Sequence, residues 1–269
     1  MGHMEHPDLD GYLVRTAGFA ATLAASAGEV EEAQRLRYRV FADEFGARIP
    51  GSAQGLDRDD LDAFCHHLLV RERESGALVG TYRILPAERA RSAGGFYAER
   101  EFDLRGLRGL QPVTVEVGRA CVHPDFRHGS VLALLWAALL RYLTASGSRH
   151  VMGCASVSLA DGHAPAAATC GRLCEEHLGP ERWRVFPHRP FPTRGWSRTM
   201  AVEPPPLVRG YLHLGAFVCG EPAWDQEFNT ADLLMLLPLS RLDPRYARRL
   251  LRLGAAPEAP HDPRKARAA

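Results

Sequence analysis

No stretch of this 269-residue chain is apolar for long enough to cross a bilayer. The longest apolar runs, Val131–Leu140 and Leu233–Leu239, fall well short of the roughly 20 residues that a membrane helix needs. A soluble protein is expected, with at most a peripheral contact with a membrane. Neither charge sign is in surplus: 33 Lys+Arg stand against 32 Asp+Glu, which excludes a chain built as a whole to hold nucleic acid or an acidic polymer. Any basic surface has to be local. The six cysteines, Cys65, Cys121, Cys154, Cys170, Cys174 and Cys219, lack the short spacings of a disulfide framework, and no secretory signal precedes them. They read as reduced thiols of a cytoplasmic protein. His163, Cys170, Cys174 and His177 match no common zinc spacing, so no metal is expected. Met1-Gly-His-Met4 reads as a cloning remnant, and no internal repeat is present.

What is there is enough apolar material, 46% of residues, for one large domain or two small ones. Val113–Trp136, VTVEVGRACVHPDFRHGSVLALLW, is the stretch around which the rest is organised. Val113, Val115 and Val117 alternate with Thr114, Glu116 and Gly118, which predicts a strand with one apolar face and Glu116 as the one charge on the other. A turn through His123-Pro-Asp125 then passes Arg127, His128, Gly129 and Ser130 and enters an apolar run that predicts a buried helix. Free backbone N–H groups and the positive end of a helix dipole suit a phosphate-type anion there, beside the strand carboxylate.

The chain before this stretch supplies further candidates. Tyr12–Phe19 predicts a first strand. Ser26-Ala-Gly-Glu29 has capping-box spacing, and Val30, Ala33, Arg37, Val40, Phe41 and Phe45 recur at helical intervals as far as Gly46. Arg37 lies on or beside that apolar face, either as an ordinary snorkelling arginine or as a functional one. Ala47–Asp62 predicts a loop whose Asp57, Asp59, Asp60 and Asp62 fit no calcium-binding spacing. They read as solvated acids or as an anchor for a substrate ammonium. His67–Arg71 and Leu78–Leu85 flank Glu74-Ser-Gly-Ala77 as a hairpin, and Arg83, midway along its second strand, wants a carboxylate or phosphate partner. An ion pair with one of the loop acids is the plain alternative.

Pro86–Pro112 predicts a short helix or lid, His150–Val157 a strand and Ala166–Leu178 a helix. Trp183–Pro192 and Ser197–Val202 predict short strands, Leu207–Leu214 a short helix, Asp232–Leu239 a strand, and the stretch ending at Arg252 a basic helix. The expected division is a core over 9–203, an extension packed on it over 204–254, and a disordered tail over 255–269, rich in Ala, Pro and Arg.

Several segments resemble one family. They are LRYRVFADEFG at Leu36–Gly46, the acids of Asp57–Asp62 followed by HLLV, VGTYRIL at Val79–Leu85, FYAEREFDL at Phe96–Leu104, the central stretch, GCASV at Gly153–Val157 and Pro205–Leu237. Together they look like the ornithine-acyl-[acyl carrier protein] N-acyltransferases of the GNAT superfamily, and the resemblance covers nearly the whole chain. A more distant one, to acyl-homoserine-lactone synthases and N-acyl amino acid synthases, rests on Arg37, Phe41, the acids after them, Arg83, and Glu116 with Arg119 as E-x-x-R.

The resemblance implies an α/β GNAT acyltransferase fold, a mixed central sheet flanked by helices. It implies transfer of a long-chain acyl group, plain or 3-hydroxylated, from acyl carrier protein to the α-amine of ornithine or a related amino acid, the start of ornithine-lipid synthesis. No cofactor is implied beyond the acyl thioester co-substrate. Glu116 and Arg119 would stand at the reacting amine, with Arg37, Phe41, Asp57, Asp62 and Arg83 around the acceptor. The alternatives are an acyl- or acetyl-CoA donor acting on another small amine, and a non-catalytic module that binds carrier protein or lipid. Where acetyl-CoA users carry R/Q-x-x-G-x-G/A, this chain reads Arg127-His-Gly-Ser-Val131. The missing glycine weakens a pyrophosphate cradle and suits the single phosphate of a carrier-bound pantetheine. Cys121 and Val122 would offer backbone N–H groups to that arm.

Amide formation from a thioester needs a neutral amine, a proton acceptor and stabilisation of the oxyanion. Glu116 is the candidate base, with a buried ion pair to a strand arginine as its plain alternative. Arg37, Arg83 or Arg119 can grip the acceptor carboxylate, and the loop acids a second ammonium. Regular alternation puts Glu116 and Arg119 on opposite faces, so a shared site needs a β-bulge, most naturally at Gly118. The acyl slot is expected between the central strands and the Val131–Leu140 helix, with Trp136 as a core residue beside it. Arg127, His128, Arg141 and Arg149 form an expected basic patch for an acidic carrier protein.

Overall fold

The computed structural model describes residues 13–49, 54–127, 129–195 and 198–253. Its strands are β1 (Val14–Arg15), β2 (Phe19–Leu23), β3 (His66–Glu72), β4 (Leu78–Pro86), β5 (Phe102–Asp103), β6 (Thr114–Val122), β7 (His150–Ser158), β8 (Phe186–Pro187), β9 (Phe217–Val218), β10 (Ala223–Asp225) and β11 (Thr230–Pro238). The helices are α1 (Ala27–Tyr38), α2 (Ala87–Ser92), α3 (Ser130–Ser146), α4 (His163–His177), α5 (Pro206–Leu214) and α6 (Pro244–Arg252). Nine strands form one sheet in the order β1-β2-β3-β4-β6-β7-β11-β10, with β9 also on β11, while β5 and β8 pair separately. Every pairing is antiparallel except β6 with β7. A parallel pair needs a crossover, and α3 supplies it.

Period-2 patterning builds a core on each face of the sheet. On β11, Leu233, Met235 and Leu237 join α3 residues such as Leu135 and Leu139 in one cluster. Leu234 and Leu236 join Leu85, Met152, Phe96 and Phe102 in the other. Each fully buried leucine contributes roughly 1.5–3 kcal/mol. Trp136 belongs to the first cluster, packed edge-to-face on Tyr82 and Tyr211.

The feature that positions the site is a fork. β6 and β7 pair from Thr114↔His150 to Glu116↔Met152 and then part, although β6 runs on to Val122 and β7 to Ser158. β7 is held straight by β11, which pairs with it along nine positions. β6 is bent away by a bulge against β4: the register runs Arg83↔Gly118 and then Thr81↔Cys121, one residue too many on β6. The parting comes at Gly153, where a Cβ would run into the Val117 carbonyl oxygen.

Some segments differ from expectation. The first strand is a two-strand ribbon, β1 and β2, turning near Gly18. α1 has the expected Ser26 cap but passes at Arg39–Glu44 into a π-helical turn before Gly46. Trp183–Pro192 contributes only β8, because Pro187, Pro190 and Pro192 have no N–H to donate to a ladder. Arg198–Met200 is a single 3₁₀ turn, and Ser197 lies outside the described residues. Position 203 is not a packing boundary: residues after it supply β9, β10 and β11, and β11 is an inner strand of the same sheet. The expected tail over 255–269 lies outside the described residues. Among the described residues no helix is long and apolar enough to cross a membrane.

Candidate active site

The fork opens into a cavity of about 330 Å³. Glu116 to Ala120 of β6 line one side and Cys154, Ser156 and Ser158 of β7 the other, with Phe41, Phe228, Leu207 and Val208 closing it. Glu116 sits at the last paired position of the fork and is 4% exposed. Its carboxylate accepts hydrogen bonds from the backbone N–H groups of Tyr97 at 2.6 Å and Ala98 at 2.8 Å, not from a strand arginine. Burial pushes it up to about 7, against the pull of those two donors and of Arg83. A carboxyl group that changes charge near neutrality is suited to accept a proton from an amine.

The bulge brings Arg119 to the same cavity as Glu116. The positive φ falls on Arg119 (51°) rather than on Gly118. Its guanidinium lies between two rings, 4.9 Å from the Tyr97 centroid and 4.5 Å from that of Phe228. Nε stands 3.3 Å from Asp57. A second, wider cavity of about 710 Å³ adjoins the first, and Tyr97, Arg119, Asp225 and Phe228 line both.

The other expected acceptor residues are used differently. Arg37 is fully buried and pairs with Asp57 (2.9 Å) and Asp62 (2.8 Å). Arg83 pairs with Asp59 (2.6 Å) and Asp62 (3.1 Å). Burial alone would raise Asp62, but Arg37 and then Arg83 hold it well below the usual carboxylate range. These groups neutralise one another. Arg83 reaches the first cavity and Asp57 the second, whereas Arg37 and Asp62 line neither. Phe41 lines the first cavity and packs edge-to-face on Phe228 at 5.7 Å.

At the expected phosphate turn, Gly129 caps α3 with φ 96° and Ser130 opens the helix. Arg127 makes a two-pronged pair with Glu44 (2.5 and 2.7 Å), and its Nε donates to the Val122 carbonyl. Cys121 packs on Leu36 and Val40 with its thiol pushed up to about 12 by burial, so only its backbone is available to a ligand. His128 lies outside the described residues. Arg149 follows the far end of the 17-residue helix α3, roughly 25 Å from Arg127, so one compact patch does not hold both. Among the described residues, His163, Cys170, Cys174 and His177 form no metal-ligand group.

Residues 36–137 match the Acetyltransferase (GNAT) domain family. The chain is 34% identical over 253 residues to an L-ornithine N(alpha)-acyltransferase of Brucella abortus, covering 87% of this chain and 89% of that protein. One of Rhizobium meliloti is 35% identical over 251 residues, covering 87% of this chain and 84% of the relative. The chain belongs to the L-ornithine N(alpha)-acyltransferase family. Its fold is also that of a CoA-dependent acyl-homoserine lactone synthase, BjaI, solved with SAM and isopentyl-CoA, at TM-score 0.50 and 16% identity over 83% of this chain and 81% of that one.

In this member of the L-ornithine N(alpha)-acyltransferase family, one group of residues escaped the sequence reading. Asp225 and Asp232 line the first cavity, and Glu101 and Asp225 the second. The carboxylate oxygens of Glu101 and Asp232 and the sulfur of Cys154 lie within 4.8 Å of one another. Burial, and then Asp232, push Glu101 up to about 9; burial, opposed by Thr230 and joined by Asp225, pushes Asp232 up to about 6. The signal was an aspartate inside the apolar strand TADLLMLL, which by the reasoning applied to Arg83 should have wanted a partner.

Proposed function

We propose that this acyltransferase joins a long-chain acyl group, delivered as a carrier-protein thioester, to the α-amine of ornithine. The observation that carries the proposal is Glu116: a buried carboxylate at the fork of β6 and β7, on the wall of the cavity, with its pKa near neutrality. The amine nitrogen attacks the thioester carbonyl, Glu116 takes the amine proton directly or through one water, and the carbon–sulfur bond breaks, the leaving thiolate taking up that proton from Glu116 or from solvent.

Backbone geometry supports the donor side. The His123 N–H donates to the Val79 carbonyl, so by antiparallel alternation the N–H of Val122 points away from β4 toward the open edge of the fork. There it can hold the pantetheine arm or the developing oxyanion. Phe41, Leu207, Val208 and Phe228 give the cavity apolar walls for the start of an acyl chain. Arg119, held between Tyr97 and Phe228, is the candidate for the acceptor carboxylate, while Arg37, Arg83, Asp57 and Asp62 position the wall behind it. A carrier protein, rather than CoA, is favoured by the single glycine of the Arg127–Val131 turn.

The test is a mass-spectrometric assay with C16 acyl carrier protein or C16-CoA, each offered a pool of amino acids that includes ornithine. N-acyl-ornithine formed only with the carrier protein is the expected result. Product from CoA, or on another amine, would keep the fold and Glu116 but replace the substrates.

A further inference from the structure

We infer that Glu101 and Asp232, with Asp225 at their rim, form the subsite that takes the side-chain ammonium of the acceptor amino acid; this rests on the ornithine reading above. The three acids come from separate segments that the fold brings to the boundary between the two cavities: the turn after Tyr97–Arg100, the end of β10 and the start of β11. Asp232 is 4% exposed, and both oxygens of Glu101 are shut off from solvent, with only neutral donors, the Tyr97 hydroxyl and the Cys154 thiol, beside them. The hydroxyl donors on Asp232, Thr230 at 2.7 Å and Ser156, are neutral, and Asp225 caps its own turn through the N–H groups of Glu227 and Phe228. Two buried acids thus face each other with no cation paired to either among the described residues.

The spacing suits one ammonium. A tetrahedral ammonium that donates at about 2.8 Å to each of two carboxylates holds their oxygens about 4.6 Å apart. Those of Glu101 and Asp232 fall within 4.8 Å. The distance to the reacting end also fits. Glu116 stands opposite Met152 of β7 and Asp232 opposite Ser156, four residues further along; with β7 between their strands, the two backbones are roughly 16 Å apart, and carboxylates turned toward the cavity between them span less. The two amines of an extended ornithine lie about 6 Å apart, and a hydrogen bond at each end brings the span to about 12 Å. With the side-chain ammonium between Glu101 and Asp232, the α-amine is directed toward Glu116.

A metal ion is the rival occupant, since Cys154 completes a set of three ligating atoms. A metal would need the thiolate. Burial, and then Glu101 and Asp232, hold the Cys154 proton on.

The experiment compares wild type with Asp232→Asn and Glu101→Gln on two acceptors: ornithine, and norvaline, which has the same carbon chain without the side-chain amine. Wild type is expected to prefer ornithine by about 10²-fold or more in kcat/KM, because norvaline leaves two buried acids without a partner. Either substitution should reduce that preference tenfold or more, mainly through KM for ornithine. Equal use of both acceptors by wild type overturns the inference and leaves ornithine acylation standing, as does an unchanged preference in a variant. Wild type that acylates neither overturns the reading beneath it. Should both variants fail to fold, Asp225→Asn, at the half-buried rim, carries the same test with a smaller fall expected. Stoichiometric zinc in the purified protein, lost with Cys154→Ser, would also overturn it.

Discussion

Two buried acid clusters lie on either side of Arg119, and they are in opposite states. Around Asp57, Asp59 and Asp62 each carboxylate has an arginine, from α1, β4 or the bulge. Around Glu101 and Asp232 there is no such partner among the described residues, and both carboxyls are pushed up instead of down. A buried charge is tolerated only when it is paired or neutralised. The first cluster has found its cations within the chain and serves as scaffold, whereas the second is completed by a cation from outside. The loop acids read from the sequence as solvated acids or as an anchor for a substrate ammonium, and in the fold they pair with arginines of the chain itself.

The comparison breaks most visibly at Arg37. Arg37→Met leaves Asp57 and Asp62 buried with one cation fewer, and should cost about 3–5 kcal/mol in denaturant unfolding. A loss below about 1 kcal/mol would mean that the first cluster is not a closed network. Next in size is Glu116→Gln. Its turnover is expected to fall by about 10²-fold with the fold retained, and the rise in kcat/KM through pH 7 expected of wild type should disappear.

The dependence of stability on pH separates the two clusters by sign. Asp62 is held below its unfolded value near 3.9, so its contribution is present above that pH and is lost on further acidification. Glu101 is raised from an unfolded value near 4.3 to about 9, so the fold loses stability as pH climbs between those values. Thermal unfolding should therefore show a decline from pH 5 to pH 9 that Glu101→Gln flattens; an undiminished slope in the variant would assign the alkaline loss elsewhere. The smallest effect belongs to the half-exposed pair of Arg127 with Glu44: Arg127→Ala should cost less than about 1 kcal/mol by calorimetry.

Much of this fold was legible because its patterns are local. The β3–β4 hairpin, β6, α3 and β7 follow from alternation, a glycine-containing turn and an uninterrupted apolar run. The bulge followed from one geometric demand, that Glu116 and Arg119 share a site, although the left-handed residue proved to be Arg119 itself. Arg83 announced a partner simply by being charged on a buried strand, and loop acids supply it. The second acid cluster was not legible, because its members are far apart in the chain, at positions 101, 225 and 232, and meet only when β11 inserts between β7 and β10. Placing the division at 203 hid that insertion. Trp136 read correctly as core; the cavity does open between the central strands, as expected of the acyl slot, but its apolar walls come from α5 and Phe228 rather than from α3.

A crystal structure with ornithine bound tests the central claim most directly. The side-chain nitrogen is expected between Glu101 and Asp232, within hydrogen-bond distance of both, with the α-amine facing Glu116. A side-chain nitrogen found among Asp57, Asp59 and Asp62, or an α-amine remote from Glu116, would contradict the account.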